Sequence, residues 1–297
     1  MHWSSGGNIA ILVNPISGGG QSRMLAGRLA RALKGRGMAC RILETRKTGT
    51  AGSIEPALGP ACRTVVSVGG DGTFNALLNQ LADPSRIPLA ILPTGTANIL
   101  AKELKLPRDP VSVARAIANG NIRRIDMAML GRRRFGACVG WGFDAMVTRA
   151  LAARRGALGY RGYVKPMLSA LRRYRPQPLT VSVDGRTPEY GGYVLVSNIK
   201  NYGGLFQIAH RAAPDSGFME VCLLTKGTLW QILLLALTGL GRLTHRVSAA
   251  QFIYRSGTRV HVAAPDDVPV QMDGDYHGSG SGTVTIKPRA ISLITGP

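Results

Sequence analysis

The sequence predicts a two-domain α/β protein, in which an N-terminal α/β domain built on a parallel sheet precedes a mainly antiparallel β domain. Up to about residue 119, short apolar segments alternate with segments of helical spacing, which is typical of a parallel sheet flanked by helices. From residue 122 onward, apolar strands follow one another with turn residues between them, which favours antiparallel pairing. We therefore expect domains at residues 1–124 and 125–287 of the 297-residue chain.

Three strands of the first domain are each followed by a turn of small residues and then by a helix. The strands cover residues 9–13, 64–68 and 89–92, and the turns cover residues 14–20, 69–73 and 93–98. Parallel strands end at one edge of a sheet, where open α/β sheets bind ligands. Glycine turns at helix N-termini expose backbone N–H groups at the positive end of the helix dipole. The three turns together predict a phosphate or nucleotide site, although each one alone also fits an ordinary strand-to-helix connection.

Asp71 is the exceptional residue of the 69–73 turn, because it places a carboxylate where an anion is expected to bind. Two chemistries would use a carboxylate there. It could hold a metal ion that bridges phosphates, or it could accept a proton from an attacking hydroxyl group. The alternative without function is a Gly-Asp-Gly surface turn.

Several motifs, in this order, resemble a known enzyme family. They are Asn14-Pro15 with Ser17-Gly18, Gly69-Gly70-Asp71-Gly72-Thr73, Gly95-Thr96-Ala97-Asn98, Gly140-Trp141-Gly142-Phe143-Asp144-Ala145, Val196-Ser197-Asn198, Tyr202-Gly203-Gly204 and Gln271-Met272-Asp273-Gly274-Asp275. They cover nearly the whole chain and resemble the soluble diacylglycerol kinases and sphingosine kinases, bacterial lipid kinases most of all. NAD kinases and phosphofructokinases share the central glycine motif, but the first and third motifs separate the lipid kinases from them.

The resemblance implies an ATP-dependent kinase that phosphorylates a lipid hydroxyl group, with ATP and Mg²⁺ as cofactors. It also implies that residues 288–297 return to the first domain. The residues that it implies for nucleotide binding are Asn14, Thr45, Gly69, Gly70, Asp71, Gly72, Thr73, Asn75 and Thr96.

Two aspartates compete for the role of catalytic base. In bacterial lipid kinases a late Asp-Gly-Glu motif supplies the catalytic carboxyl group. Its last position falls on Asp275, whose side chain is one methylene shorter than that of the usual Glu. In sphingosine kinases the aspartate of the glycine loop has that role, which would be Asp71. We expect both to be essential and favour Asp275, although residues 273–275 also fit a plain hairpin turn. Asp144 resembles an acceptor-side carboxylate that positions the substrate.

A structural Mg²⁺ site of the bacterial family is altered in this chain. The family places an aspartate where Ser216 stands, and a neutral hydroxyl is a poor replacement for a carboxylate ligand of Mg²⁺. Asp215 is the substitute ligand that the sequence offers after a local shift.

The charge balance predicts an anionic partner. The chain has 37 Lys and Arg against 16 Asp and Glu, a net charge of +21. Eight cations lie between residues 149 and 175, without any acid between Asp144 and Asp184: Arg149, Arg154, Arg155, Arg161, Lys165, Arg172, Arg173 and Arg175. We expect this run to contact an anionic membrane that holds the lipid substrate.

The hydrophobic segment 228–243, which contains Trp230, could be core or could line an entry for lipid chains, and we expect core. It is too short to span a membrane, and the N-terminus lacks the features of a signal peptide. We therefore expect a cytoplasmic protein that associates peripherally with membranes and has no nucleic-acid partner. The sequence leaves a homodimer open.

Two other functions stay open at this point. One is an NAD kinase, through the shared glycine motif, which would phosphorylate NAD and no lipid. The other is a non-catalytic basic protein that binds membranes or nucleic acids. Asp71 and Asp275 argue against the second, because a protein that only binds polyanions gains nothing from carboxylates in its anion site.

Overall fold

The structure, a computed structural model, describes residues 8–45, 54–152 and 164–296. The chain divides into two compact units, residues 1–125 with 289–297 and residues 126–288. Arg154, Arg155 and Arg161 of the basic run lie outside the described residues.

Strands and helices follow one another along the chain in the order that the sequence pattern indicates. The strands are β1 (Asn8–Val13), β2 (Cys40–Glu44), β3 (Cys62–Gly69), β4 (Leu89–Pro93), β5 (Ile122–Leu130), β6 (Arg133–Phe135), β7 (Cys138–Trp141), β8 (Leu179–Val183), β9 (Glu189–Gly191), β10 (Tyr193–Ser197), β11 (Asn201–Tyr202), β12 (Phe206–Gln207), β13 (Met219–Leu224), β14 (Phe252–Gly257), β15 (Arg259–Ala263), β16 (Pro269–Met272), β17 (Asp275–Ser279) and β18 (Gly282–Ile294). The helices are α1 (Ser22–Lys34), α2 (Glu55–Leu58), α3 (Asp71–Gln80), α4 (Ile99–Glu103), α5 (Pro110–Asn119), α6 (Phe143–Ala152), α7 (Val164–Arg173) and α8 (Leu229–Leu240).

The first unit contains a parallel sheet in the order β2-β1-β3-β4, which the last part of β18 extends beside β4. Strands β1 and β3 are buried along most of their length because helices cover both faces of a parallel sheet. Helix α1 buries Ala26, Leu29 and Leu33, spaced three and four residues apart, in a core shared with α5. The carboxyl ends of β1, β3 and β4 therefore lie at one edge, as the sequence predicts.

The second unit is a sandwich of antiparallel strands. One sheet has the order β14-β13-β10-β7-β16-β17, and another brings β9, β8, β15 and the first part of β18 together. A core that includes Trp141, Phe135 and Val260 contains residues from both sheets. The predicted fold class, a parallel α/β domain with a mainly antiparallel β domain, is confirmed.

A second core of this unit lies on the other face of the β10 sheet. In β10, Val194 and Val196 belong to the core of the sandwich, whereas Tyr193 and Leu195 pack into the second core, together with Leu235 of α8. Strand β10 is buried on both faces, which explains the apolar run over residues 193–196.

Two sequence expectations for this unit are wrong. A single strand is expected over 135–139, but β6 ends at Phe135 and β7 begins at Cys138, because Asp273 accepts hydrogen bonds from three N–H groups of the segment between and beside them. The segment 228–243 is expected to be core, but much of α8 is solvent-exposed. Among the described helices, none is long and apolar enough to cross a membrane.

Candidate functional site

The turns after β1, β3 and β4 meet through backbone contacts that only glycine permits. A Cβ atom on Gly95 would lie 2.6 Å from the Cα of Gly70, and one on Gly18 would lie 2.6 Å from the carbonyl oxygen of Thr94. Gly18 also has a φ of +59°, which favours glycine. The structure thus brings together the three turns that the sequence places at the sheet edge.

Side chains then hold the three turns to one another. Asn14 donates from Nδ2 to the Thr73 hydroxyl (3.3 Å) and accepts at Oδ1 from the N–H of Ile16 (3.2 Å). The fully buried Ser22 hydroxyl lies 2.8 Å from the Thr94 hydroxyl and donates to the carbonyl of Ser17. The sequence analysis missed Ser22, since a serine at the start of a helix is common and nothing marks it as a contact to another turn.

The carboxylate of Asp71 connects two of the turns. Asp71 begins α3, and its Oδ1 accepts a 2.7 Å hydrogen bond from the N–H of Ile99, the first residue of α4. Asn98, in the left-handed conformation at φ 48°, binds both the N–H and the carbonyl of Gly95 with its side chain. Asp71 is therefore placed at the N-terminus of a second short helix, where a negative charge is favoured.

The other predicted nucleotide residues differ in exposure. Thr45 follows β2 beside β1, with its N–H and hydroxyl directed to the carbonyl of Val13, and Thr96 is exposed. Thr73 and Asn75 are buried, and Asn75 accepts a hydrogen bond from Asn79. Thr73 and Asn75 therefore lie inside the protein beneath the turns, whereas Thr96 lies at the protein surface.

The donors at this edge suit a Mg²⁺-bound polyphosphate. Gly70 is the N-cap of α3, and Gly72 lies in its first turn. The N–H groups of this first turn point away from the helix at its N-terminal end. Glycine backbone, hydroxyl and amide groups can bind phosphate oxygens, and Asp71 offers the hard oxygen ligand that Mg²⁺ prefers. The close approach of Gly70 and Gly95 leaves no room for side chains beside these N–H groups.

Asp144 of the second unit is a half-buried carboxylate with several hydrogen-bond donors around it. It stands at the start of α6 and accepts hydrogen bonds from the Tyr202 hydroxyl (2.8 Å), the Gln271 amide (3.1 Å) and the N–H of Ala145 (2.8 Å). Burial raises the pKa of Asp144, and these hydrogen bonds oppose the rise. A Cβ on Gly140 would lie 2.7 Å from this carboxylate, so glycine is needed there too.

Gln271 links Asp144 to the hairpin that carries Asp275. Its Nε2 donates to Asp144 while its Oε1 accepts from the N–H of Gly274 (2.9 Å), and its side chain is fully buried. Asp273 and Gly274 form the two-residue turn between β16 and β17, with φ of 51° and 87°, as in a type I′ hairpin. The hairpin interpretation of residues 273–275 is correct, and it places Asp275 at the first position of β17.

Asp273 is a structural carboxylate whose contacts the sequence analysis did not predict. Its two oxygens accept hydrogen bonds from the N–H groups of Gly136, Ala137 and Cys138, at 2.9–3.0 Å. Three N–H donors hold this carboxylate in one position. Asp273 therefore fixes the turn, and the neighbouring carboxylate of Asp275 remains available for chemistry.

Asp275 is exposed at the surface of its hairpin, yet the pKa of its carboxyl group is raised. Protein atoms packed around the carboxyl group and the negative charge of Asp273 raise the pKa of Asp275, whereas Arg133 lowers it. A carboxylate with a raised pKa is a better proton acceptor at neutral pH than an ordinary aspartate.

The turn before β13 does not suit a carboxylate-ligated Mg²⁺ at position 216. The Ser216 hydroxyl lies 2.9 Å from the carbonyl of Ala213 and 3.1 Å from that of Phe218, and it accepts from the N–H of Phe218. Asp215 is exposed, and across the described parts of the chain no three acidic, His or Cys side chains are grouped as metal ligands. The assignment of a metal to Asp215 stays a prediction.

Comparison with known families assigns both units. Residues 8–130 match the diacylglycerol kinase catalytic domain, and residues 137–295 match the YegS C-terminal NAD kinase beta sandwich-like domain. The second match alone covers more than half of the chain, and the two together cover almost all of it.

Individual proteins show the same relationship. The chain is 28% identical over 298 residues to a diacylglycerol kinase of Mycobacterium tuberculosis, covering 97% of this chain and 95% of that protein. It is 27% identical over 294 residues to a diacylglycerol kinase of Bacillus subtilis, covering 96% and 95%. A crystal structure of a diacylglycerol kinase from Bacillus anthracis has the same fold, with a TM-score of 0.74, 20% identity and 98% coverage of both chains. Yeast NADH kinase is more distant, at a TM-score of 0.51 and 10% identity over 98% of this chain and 84% of that one.

We predict that Gly95→Ala destabilises the first unit by about 1–3 kcal/mol, because the added methyl group overlaps the backbone of Gly70. The φ of Gly95 is not positive, so the effect is steric rather than conformational. Urea denaturation measures the loss, with Gly27→Ala as the control. No atom lies within 4 Å of the added methyl group at Gly27, in the middle of α1, so that variant should gain about 0.5–1 kcal/mol. Equal stability of Gly95→Ala and the parent would contradict the contact between the turns.

Proposed function

The chain belongs to the diacylglycerol kinase family of phosphotransferases, and from this premise we propose that it transfers the γ-phosphoryl group of ATP to the hydroxyl group of a membrane lipid. Diacylglycerol and sphingoid bases represent the chemical class of acceptor. The observation that carries the proposal is the contact of three glycine turns at one sheet edge, where Asp71 lies between two helix N-termini.

The first unit holds the nucleotide in this proposal. Backbone N–H groups of residues 69–73 and the side chains of Asn14 and Thr96 bind phosphate oxygens, and Thr45 contacts the nucleotide beside β1. Mg²⁺ bound with the nucleotide would neutralise phosphate charge, and Asp71 would hold it. Phosphoryl transfer needs positioning more than covalent chemistry from the protein, so a rigid set of turns suits it.

The second unit activates and positions the acceptor. Asp275 accepts the proton of the lipid hydroxyl, for which its raised pKa suits it. Asp144, held by Tyr202 and Gln271, positions the polar head of the acceptor. Gln271 also binds the N–H of Gly274 and so connects Asp144 to the hairpin that carries the base.

The partner of the protein is an anionic membrane surface. The net charge of +21 supports this, as do the exposed Arg172 and Arg173 near the end of α7. Each basic side chain near an anionic lipid surface contributes about 1 kcal/mol to binding. The protein is accordingly a peripheral membrane enzyme in this proposal.

A panel of acceptors with γ-labelled ATP tests the proposal. Diacylglycerol and a sphingoid base in mixed micelles, NAD in solution and a no-acceptor control are compared for label in the product. Label in one of the lipids supports the proposal and names the acceptor. Label in NAD alone would establish the NAD kinase alternative, and label in none would leave a binding protein.

Replacing Asp71 separates its charge from its contact to Ile99. We expect Asp71→Asn to keep the fold, because the amide oxygen still accepts from Ile99, and to lower turnover by about 10²–10⁴-fold through loss of the charge. Asp71→Ala should lose turnover and also lower the melting temperature. Turnover and thermal unfolding of both variants are measured together, and near-parent turnover of Asp71→Asn would remove this residue from the mechanism.

Replacing Asp275 tests the base directly. We expect Asp275→Asn to lower kcat by about 10²–10⁴-fold, and Asp275→Glu to retain activity since it restores the carboxylate with one more methylene. The matched control is Asp266→Asn, which removes one exposed acid from the same unit. Full activity of Asp275→Asn, next to an inactive Asp71→Asn, would move the role of base to Asp71.

Arg133 should set the pH at which the base works. Its positive charge lowers the pKa of Asp275, so Arg133→Gln raises this pKa and moves the acidic limb of the kcat/KM profile to higher pH. Arg132→Gln, one residue earlier in the chain, is the matched control and should leave the profile in place. The profiles are measured at constant ionic strength, and identical acidic limbs for all three proteins would contradict the role of Asp275.

A further inference from the structure

Helix α8 exposes apolar side chains at every solvent-facing position. The exposed residues of the helix are Leu229, Trp230, Leu233, Leu237 and Leu240. Trp230 is 66% exposed, Leu237 is 58% and Leu240 is 60%, which is far from the core position expected from the sequence. Positions 230, 233, 237 and 240 repeat at intervals of three and four residues, so they form one stripe on the helix. Leu243, just beyond the helix, is exposed as well.

The inner face of α8 carries a buried glutamine. Gln231 is buried, and its amide donates to Gln251 Oε1 (2.8 Å) and to the hydroxyl of Thr225 (3.0 Å), while its oxygen accepts from the N–H of Lys226 (3.0 Å). Turning the helix to bury its leucines would break these bonds and leave buried polar groups unpaired. The apolar stripe is therefore held outward by the fold.

The charge around α8 identifies what covers the stripe. The chain has no Asp or Glu between Glu220 and Asp266. Lys226 before the helix and Arg242 and Arg246 after it are exposed. An exposed apolar stripe with cations at both ends complements an anionic bilayer, whose headgroups attract the cations and whose acyl chains accept the leucines. A second copy of the chain would place its own cations next to these cations, which would repel them.

We propose that α8 and its flanking residues 226–246 are the membrane-docking surface of this protein, with the helix lying in the plane of the bilayer interface. This inference rests on the proposed function in that the acceptor lipid is held in a membrane. Helices of this kind sit about 5–10 Å deep at the boundary of headgroups and acyl chains. Trp230, at the N-terminal end of the stripe, is the aromatic residue expected at that depth.

Tryptophan fluorescence observes the docking without any need for turnover. The chain has three tryptophans, and in a Trp3→Phe background only the buried Trp141 and the exposed Trp230 remain. Phosphatidylcholine vesicles that contain roughly 30–40% phosphatidylglycerol should shift the tryptophan emission to shorter wavelength. Vesicles whose acyl chains are brominated near the headgroup should quench this emission. Pure phosphatidylcholine vesicles should bind much less. Absence of both the shift and the quenching on the anionic vesicles would overturn the proposal.

A serine pair measures the contribution of the stripe. Leu233→Ser with Leu237→Ser should weaken partition into anionic vesicles by about tenfold or more, since two leucines no longer enter the acyl region. The matched control is Met24→Ser with Val111→Ser, which removes two apolar side chains of similar exposure, 55% and 56%, from α1 and α5. Co-sedimentation with vesicles gives the partition coefficients. Equal loss in both pairs, or in neither, would overturn the proposal.

Two further measurements separate the other outcomes. Sedimentation velocity without lipid is run on the parent and on the Leu233/Leu237 serine pair, and a dimer that becomes a monomer in the variant would assign the stripe to self-association instead. The acceptor panel is read independently of vesicle binding. Vesicle binding through α8 with no lipid phosphorylated would overturn the proposed function alone, whereas lipid phosphorylation with unchanged vesicle binding of the serine pair would overturn the docking surface alone.

Discussion

The contact of glycine backbones at the carboxyl edge of the first sheet is the constraint on which the proposed nucleotide site depends. Gly70 and Gly95 approach so closely that their turns are fixed relative to each other without any side chain between them. This approach sets where Asp71 can reach Ile99 and where Asn98 can bind the backbone of Gly95. The N–H groups at the start of α3 are then left facing outward from a rigid frame, which is the arrangement that phosphate recognition requires.

In the second unit, hydrogen-bond donors stabilise a carboxylate that is partly removed from water. Asp144 is half-buried and loses part of the hydration of its charge, and a hydroxyl, a side-chain amide and a backbone N–H make up for some of that loss. The same glutamine that binds Asp144 also binds the turn of the β16–β17 hairpin. One buried residue thus couples a carboxylate at the start of a helix to a carboxylate at the surface of a hairpin, and neither position is determined by the hydrophobic core alone.

The sequence predicts the elements of both units well, because burial on one or two faces leaves a direct mark in apolar spacing. It also predicts the three glycine turns, since each has a fixed place between a strand and a helix. Gln271 could not be singled out, because one polar residue in the short apolar strand β16 carries no mark of its partners. Nor could the structural role of Asp273 be predicted, since only the folded hairpin shows that its carboxylate accepts hydrogen bonds from three N–H groups. The sequence analysis placed α8 in the core because its residues are apolar. The composition of a segment does not show which of its side chains face the solvent.

The turn around Ser216 has a consequence for how this protein matures. A hydroxyl group there spans two main-chain carbonyls with atoms that the chain itself carries. A turn closed in this way is complete as soon as the polypeptide folds, whereas a turn closed by an ion must wait for one and can lose it again. The hydrogen bonds of the Ser216 hydroxyl therefore form from atoms of the chain itself, and this part of the turn does not wait for a supply of divalent ions.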